Sequence, residues 1–212
     1  MKASLLIFFL LIGSRGWALC LPDSLVNKDA LRREISVLEL EAKSFEDIFS
    51  SLLPADHDLI IQLEALNPRV NAEIIRQDKK IVISVMGGML NHPKMTEDAF
   101  RLLLCHELGH FKGGPPLKSR GGWSSTEGQA DYFSGIGCAR QLGMDEYSFL
   151  EGAKVLTAIY AQVTGEEPPK LERCDNRVVE RTNYGYPPVQ CRLDTLLAGW
   201  RETPRPVCWF KD

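Results

Sequence analysis

The chain has 212 residues, a formal net charge of −3, 44 % hydrophobic residues and 25 % charged residues. That balance speaks against a disordered chain, a fibre and a multi-span membrane protein. Its mildly acidic character is the opposite of the basic excess by which nucleic-acid binders attract phosphate, so no nucleic-acid partner is expected. The length suits one domain with enough chain to bury a core, and a monomer is the expectation.

The N-terminus reads as an address. Lys2 supplies a positive start, residues 5–12 are an unbroken apolar run, and small residues stand at Gly16 and Ala18. This is the three-part pattern of a secretory signal peptide over residues 1–18, cut after Ala18. The apolar run is far shorter than the ~20 residues a bilayer core requires. No stable membrane anchor is therefore expected, and the destination is secreted or periplasmic. Loss of Lys2 and Arg15 takes the charge from −3 to −5. All six cysteines follow the cut, as an oxidising compartment would favour, so disulfides are expected. No CxxC spacing occurs to suggest a cysteine zinc cluster. Cys174 and Cys191 bracket a loop-like stretch and are the one pairing that suggests itself.

Leu31, Ile35, Leu38, Ala42, Phe45, Phe49 and Leu52 step by threes and fours, the stripe of a long amphipathic helix ended by Pro54. A shorter helix is predicted over residues 58–66, closing an N-terminal helical segment at 19–66. Residues 67–212 would form the main domain with a loop-rich C-terminal tail. Within it, β-branched runs at 70–75 and 81–85 flank a polar turn and read as an antiparallel hairpin. Thr96 is a good N-cap for a helix running to Lys112, where Gly113-Gly114-Pro115-Pro116 stops it. Helices are also predicted over 126–142, within 145–163 and near 190–199. The order of elements indicates an α+β fold.

The helix that Thr96 opens contains His106-Glu107-Leu108-Gly109-His110. Histidines four apart leave one face of a helix and can grip one ion. Glu107 sits about 100° around from His106, placed to act as general base toward a metal-bound water. Cys105 points away from the two histidines and reads as structural. A catalytic zinc site takes three protein ligands and leaves one position open. The next helix begins Thr126-Glu127-Gly128-Gln129-Ala130-Asp131 and offers two carboxylates, both able to face the histidines. Glu127 is the chosen third ligand and Asp131 the support for a histidine N–H, with the reverse assignment left open. His57 and His92 have no partner pattern and read as surface or loop histidines.

Together these segments resemble the HExxH and ExxAD motifs of gluzincin metallopeptidases, of the type of the CAAX prenyl protease and the heat-shock membrane protease. The resemblance spans 96–192, without those relatives' membrane helices, and so points to a small soluble, zincin-like domain. It implies Zn2+ held by His106, His110 and Glu127, Glu107 as the base, and Asp131 behind a histidine. The family's His-Pro-x-x-x-x-Arg element, thought to assist the transition state, is matched by Tyr186-Pro187 and Arg192, with Tyr in place of His. A phenol can donate to an oxyanion as an imidazole can, and Tyr184 competes for that role. The resemblance also implies that 81–90 is an edge strand pairing with extended substrate, which makes Ile83, Val85 and Gly87 candidate substrate-binding residues. The expectation is a secreted zinc metallopeptidase acting on proteins or peptides; the rival is a zinc-stabilised binding module without turnover.

Overall fold

A computed structural model describes residues 28–212, with side chains from residue 36 onward. The leader-like residues 1–18, Cys20 and the side chains of Leu31 and Ile35 lie outside the described part.

Helix α1 (Lys28–Ser50) buries Leu38, Ala42, Phe45 and Phe49 at helical spacing. Leu52 falls past its end and is exposed, and Leu53 takes the core position instead. The helix lies against α3 (Glu97–Lys112), where Arg101 holds both oxygens of Glu41 at 2.6 and 2.7 Å.

Residues 58–66, expected as a helix, begin instead as strand β1 (Asp58–Glu64). Leu59, Ile61 and Leu63 alternate with period two, and a seven-residue segment with two isoleucines gains more from a ladder than from two helical turns. The predicted hairpin is present as β2 (Ala72–Gln77) and β3 (Lys80–Met86), antiparallel, with Ile74 opposite Ile83. Asp78 turns the corner with φ 53°. β1 joins β3 in parallel, giving the order β1-β3-β2. The boundary drawn at 66/67 therefore falls between strands of one sheet.

This topology corrects the edge-strand expectation. β3 is the central strand, and Ile83 and Val85 are fully buried in the core. Gly87 opens a four-residue helix α2 (Gly87–Leu90), where an added Cβ would lie 2.1 Å from the Ala65 carbonyl oxygen. None of the three can meet a substrate chain. The edge strand on that side is β2.

Thr96 caps α3 by accepting from Ala99 N–H at 3.2 Å, as its sequence suggests. The helix expected over 126–142 is shorter: α4 (Glu127–Phe133) passes into a π turn, Ser134–Cys138. Ser134 Oγ donates back to the Ala130 carbonyl at 2.9 Å, and Gly135 lets the chain press against the backbone of helix α6 (Val189–Trp200). Helix α5 (Glu146–Thr164) packs between α3 and α6, close to its predicted bounds. The result is a mixed α+β fold: a three-stranded sheet with α1 and α3 laid against it, and α4 to α6 beyond.

Among the described residues two disulfides fasten the helices. Cys105–Cys138 joins α3 to the π turn, confirming Cys105 as structural, and Cys191–Cys208 joins α6 to the tail. The suggested Cys174–Cys191 pair is not formed, because Cys191 is bonded to Cys208; Cys174 is exposed and has no disulfide partner among the described residues. Among the described residues no helix is long and apolar enough to cross a membrane.

Candidate metal centre

His106 and His110 are presented by α3 into a cleft of about 660 Å³, which Glu107, Glu127, Tyr160, Tyr186 and Arg192 also line. Their rings lie 4.8 Å apart, nearly edge to face. Glu127 arrives from α4, with Oε2 3.3 Å from His106 Nε2 and Oε1 3.5 Å from His110 Nε2. Ligand atoms from all three residues lie within 4.8 Å of one another, and all three residues are buried, so the cluster could hold a metal ion. Two small residues make this convergence possible. A Cβ on Gly109 would sit 2.7 Å from the Ala130 carbonyl oxygen, and one on Gly128 would enter the Trp209 indole at 2.3 Å. The spaces between the functional letters of both motifs are thus the places where α4 touches α3 and the tail touches α4.

Each histidine is fixed from behind. His110 Nδ1–H donates to the Ser125 carbonyl at 2.8 Å, and His106 Nδ1–H donates to Asp131 Oδ1 at 2.8 Å. Both rings therefore turn Nε2 toward Glu127, the arrangement in which a ligand histidine's tautomer is set by its second nitrogen. Asp131 supports His106 and stands outside the group of three, so Glu127 is the carboxylate that converges with the histidines. Asp131 is itself gripped by Arg192, with Nε 2.7 Å from Oδ2 and Nη2 2.9 Å from Oδ1. The guanidinium also lies 3.4 and 3.5 Å from the two ring nitrogens of His106 and stacks on Tyr160, its carbon 4.0 Å from the ring centre.

Burial and charge act in opposition across this cluster. Burial disfavours a charged His106, but Asp131 and Glu127 outweigh it and raise the ring to about 9. His110 has no such carboxylate behind it; burial, then the neighbouring His106 charge, lower it to about 4. Burial pushes the Glu107 carboxyl up to about 7 against the pull of His106. Burial also works against ionised Glu127 and Asp131, yet His106 holds Glu127 well below the usual range, and Arg192 with His106 holds Asp131 below it. Burial raises the Tyr160 phenol. Nearby Glu127, then burial, raise that of Tyr186.

The remaining candidates divide. Tyr186 stands at the cleft rim, its residue surface 74 % exposed, whereas Tyr184 is not among the cleft residues. Arg192 is in the cleft wall but buried and committed to Asp131. His57 pairs with Asp56 at 2.9 Å away from the site. His92 lies, as expected, in a loop, between α2 and α3, but is buried there. Two cleft residues carry no sequence signal. Lys118 sits in a Gly/Pro/Ser-rich loop, and Tyr160 differs from its neighbours on an apolar helix only by its hydroxyl.

No known protein family, curated protein or solved structure matches the chain. The reading of the site rests on its own geometry.

Proposed function

We propose that the protein is a secreted zinc metallopeptidase. The observation that carries the reading is the meeting of His106, His110 and Glu127 beside a buried Glu107 in an open cleft. Two imidazoles and a carboxylate are a zinc donor set, and donors on a tetrahedral zinc with bonds of about 2.0–2.2 Å sit roughly 3.3–3.5 Å apart. The His–Glu separations of 3.3 and 3.5 Å, each to a different oxygen of Glu127, fall there. When bound, zinc supplies Lewis acidity toward water and the scissile carbonyl.

The chain's own groups do the rest. Glu107, buried beside the cluster in the same cleft, is poised to take a proton from the attacking water and return it to the leaving amine nitrogen. Tyr186 remains protonated at neutral pH and can donate its O–H to the developing oxyanion from the rim. Arg192, with both Asp131 oxygens on its guanidinium, is assigned a positioning role through Asp131 and His106. Substrate would lie along β2 instead of β3, since residues 70–74 line the cleft and β2 is hydrogen-bonded to β3 alone among the described strands.

The test is Glu107→Gln in the chain from residue 19 onward. Zinc content near one per chain and an unchanged melting temperature should accompany a loss of casein cleavage of roughly 10²–10⁴-fold. A variant that cleaves like the parent defeats the mechanism. Stoichiometric zinc in a parent that never cleaves favours the binding module.

A further inference from the structure

Glu127 has a fourth neighbour that the peptidase reading leaves without a role. Lys118 Nζ lies 2.8 Å from Glu127 Oε1, the oxygen that also faces His110 Nε2. A carboxylate this deeply buried needs a positive partner. Of the two permanent cations near it, Arg192 cannot move to meet that need: its Nη2 is 3.8 Å from Oε2, and the guanidinium is fixed on both oxygens of Asp131. Lys118 can move. Its side chain is 40 % exposed and reaches in from the open side of the cleft.

The backbone beneath Lys118 is held in place. Its N–H donates to the Ser124 carbonyl at 2.7 Å, and Leu117 bridges to Ser125. Ser125 N–H in turn donates to the His110 carbonyl at 2.8 Å. The 113–125 loop is thus anchored to the metal-ligand helix at the point from which Lys118 springs. Any release from Glu127 is a swing of the side chain, four methylenes long, about a fixed base.

We infer that Lys118 is an internal competitor for the metal: its ammonium occupies Glu127 Oε1, the oxygen that faces His110, in the metal-free site and must leave it when a divalent cation binds. The inference rests on the metal reading above. A divalent ion and an ammonium sharing one carboxylate repel each other, and the mobile partner yields. Lys118 consequently weakens metal affinity, and metal loading turns its amine out into the cleft.

Two measurements on the purified chain test this. In the first, chelator-stripped parent, Lys118→Met and Lys118→Arg are titrated with Zn2+ against a chromophoric chelator. Lys118→Met should bind Zn2+ at least about tenfold more tightly, and Lys118→Arg, which keeps the charge, should stay within about threefold of the parent. Equal or weaker binding by Lys118→Met overturns the inference. The second needs no variant: amine acylation of the parent, read by peptide mass spectrometry, should become several-fold faster at Lys118 when Zn2+ is added. An unchanged rate overturns displacement. A parent that binds no Zn2+ in the first titration overturns the metal reading itself, which separates the two failures.

Discussion

The two sides of the cleft are built differently. On the inner side, Tyr160, Arg192, Asp131 and His106 form a continuous stack in which nearly every polar atom has a partner and each member is held by the next. On the outer side, Lys118 and Tyr186 reach in from loops as single side chains, partly or largely exposed. The inner side is over-determined, because a buried charge that lost its partner would stay buried and unpaired. The outer side tolerates change, because water can replace whatever is removed. Position and tautomer are thus set on one side of the site, and under the proposed function exchange with ions and substrate would fall to the other.

The largest expected effect comes from breaking the inner stack at Arg192. Arg192→Met leaves Asp131 buried beside His106 with one cation fewer, and breaking a buried pair in this way costs about 3–5 kcal/mol. Thermal or urea unfolding of the metal-free protein measures it; a loss under about 1 kcal/mol would show that the pairing is not structural. Asp131→Asn comes next. It keeps the shape but removes the carboxylate that fixes the His106 tautomer, and zinc affinity should fall about 10–100-fold, as for other groups behind metal ligands. Competition titration reads the change, and affinity within twofold of the parent would remove Asp131 from the site's design.

The asymmetry between the histidines makes a pH prediction. His106, raised to about 9, carries a proton in the metal-free protein at neutral pH, whereas His110, lowered to about 4, does not. A ligand imidazole must be neutral, so metal uptake near pH 7.5 should expel a proton from His106. Affinity should rise roughly tenfold per pH unit between about 7 and 8.5 and flatten above about 9 from this group. The linked stability runs the other way. The raised pKa stabilises the metal-free fold fully below the unfolded value near 6.5, and that contribution is lost as pH rises through about 9. Calorimetric zinc titrations in buffers of different ionisation enthalpy count the protons, and zero release at pH 7.5 would contradict the His106–Asp131 coupling.

The same contrast between inner and outer sides explains what could be read in advance. The pairing of His106 with His110 is legible because helical spacing sets them side by side without knowledge of the rest of the chain. The α3 cap was legible because Thr96, Glu97 and Asp98 are consecutive. Segments whose identity depends on a distant partner were not. Residues 58–64 form a strand only because β3 lies alongside them, and β3 is central only because β1 folds back to cover its second edge. The disulfide partners of Cys105 and Cys191 lie 33 and 17 residues away, brought near by helix packing that no local pattern records. Arg192 is singled out only by the family resemblance, and its engagement with Asp131 follows from the close approach of α4 and its π turn to α6 at Gly135 and Gly199. Lys118 belongs wholly to the outer side, where a loop's path decides the contact.

The smallest expected effect lies at the rim. Tyr186→Phe removes one hydroxyl from a side chain that buries little, so unfolding stability should change by no more than about 0.5 kcal/mol and zinc affinity by less than twofold. If Tyr186 donates to the oxyanion, kcat should still fall while KM holds, because that hydrogen bond is made only as charge develops on the carbonyl oxygen. A rise in KM at constant kcat would assign Tyr186 to substrate binding instead. No change in either would move the donor's role inward to Tyr160, the other phenol in the cleft, whose replacement would disturb the Arg192 stack and so register in stability as well.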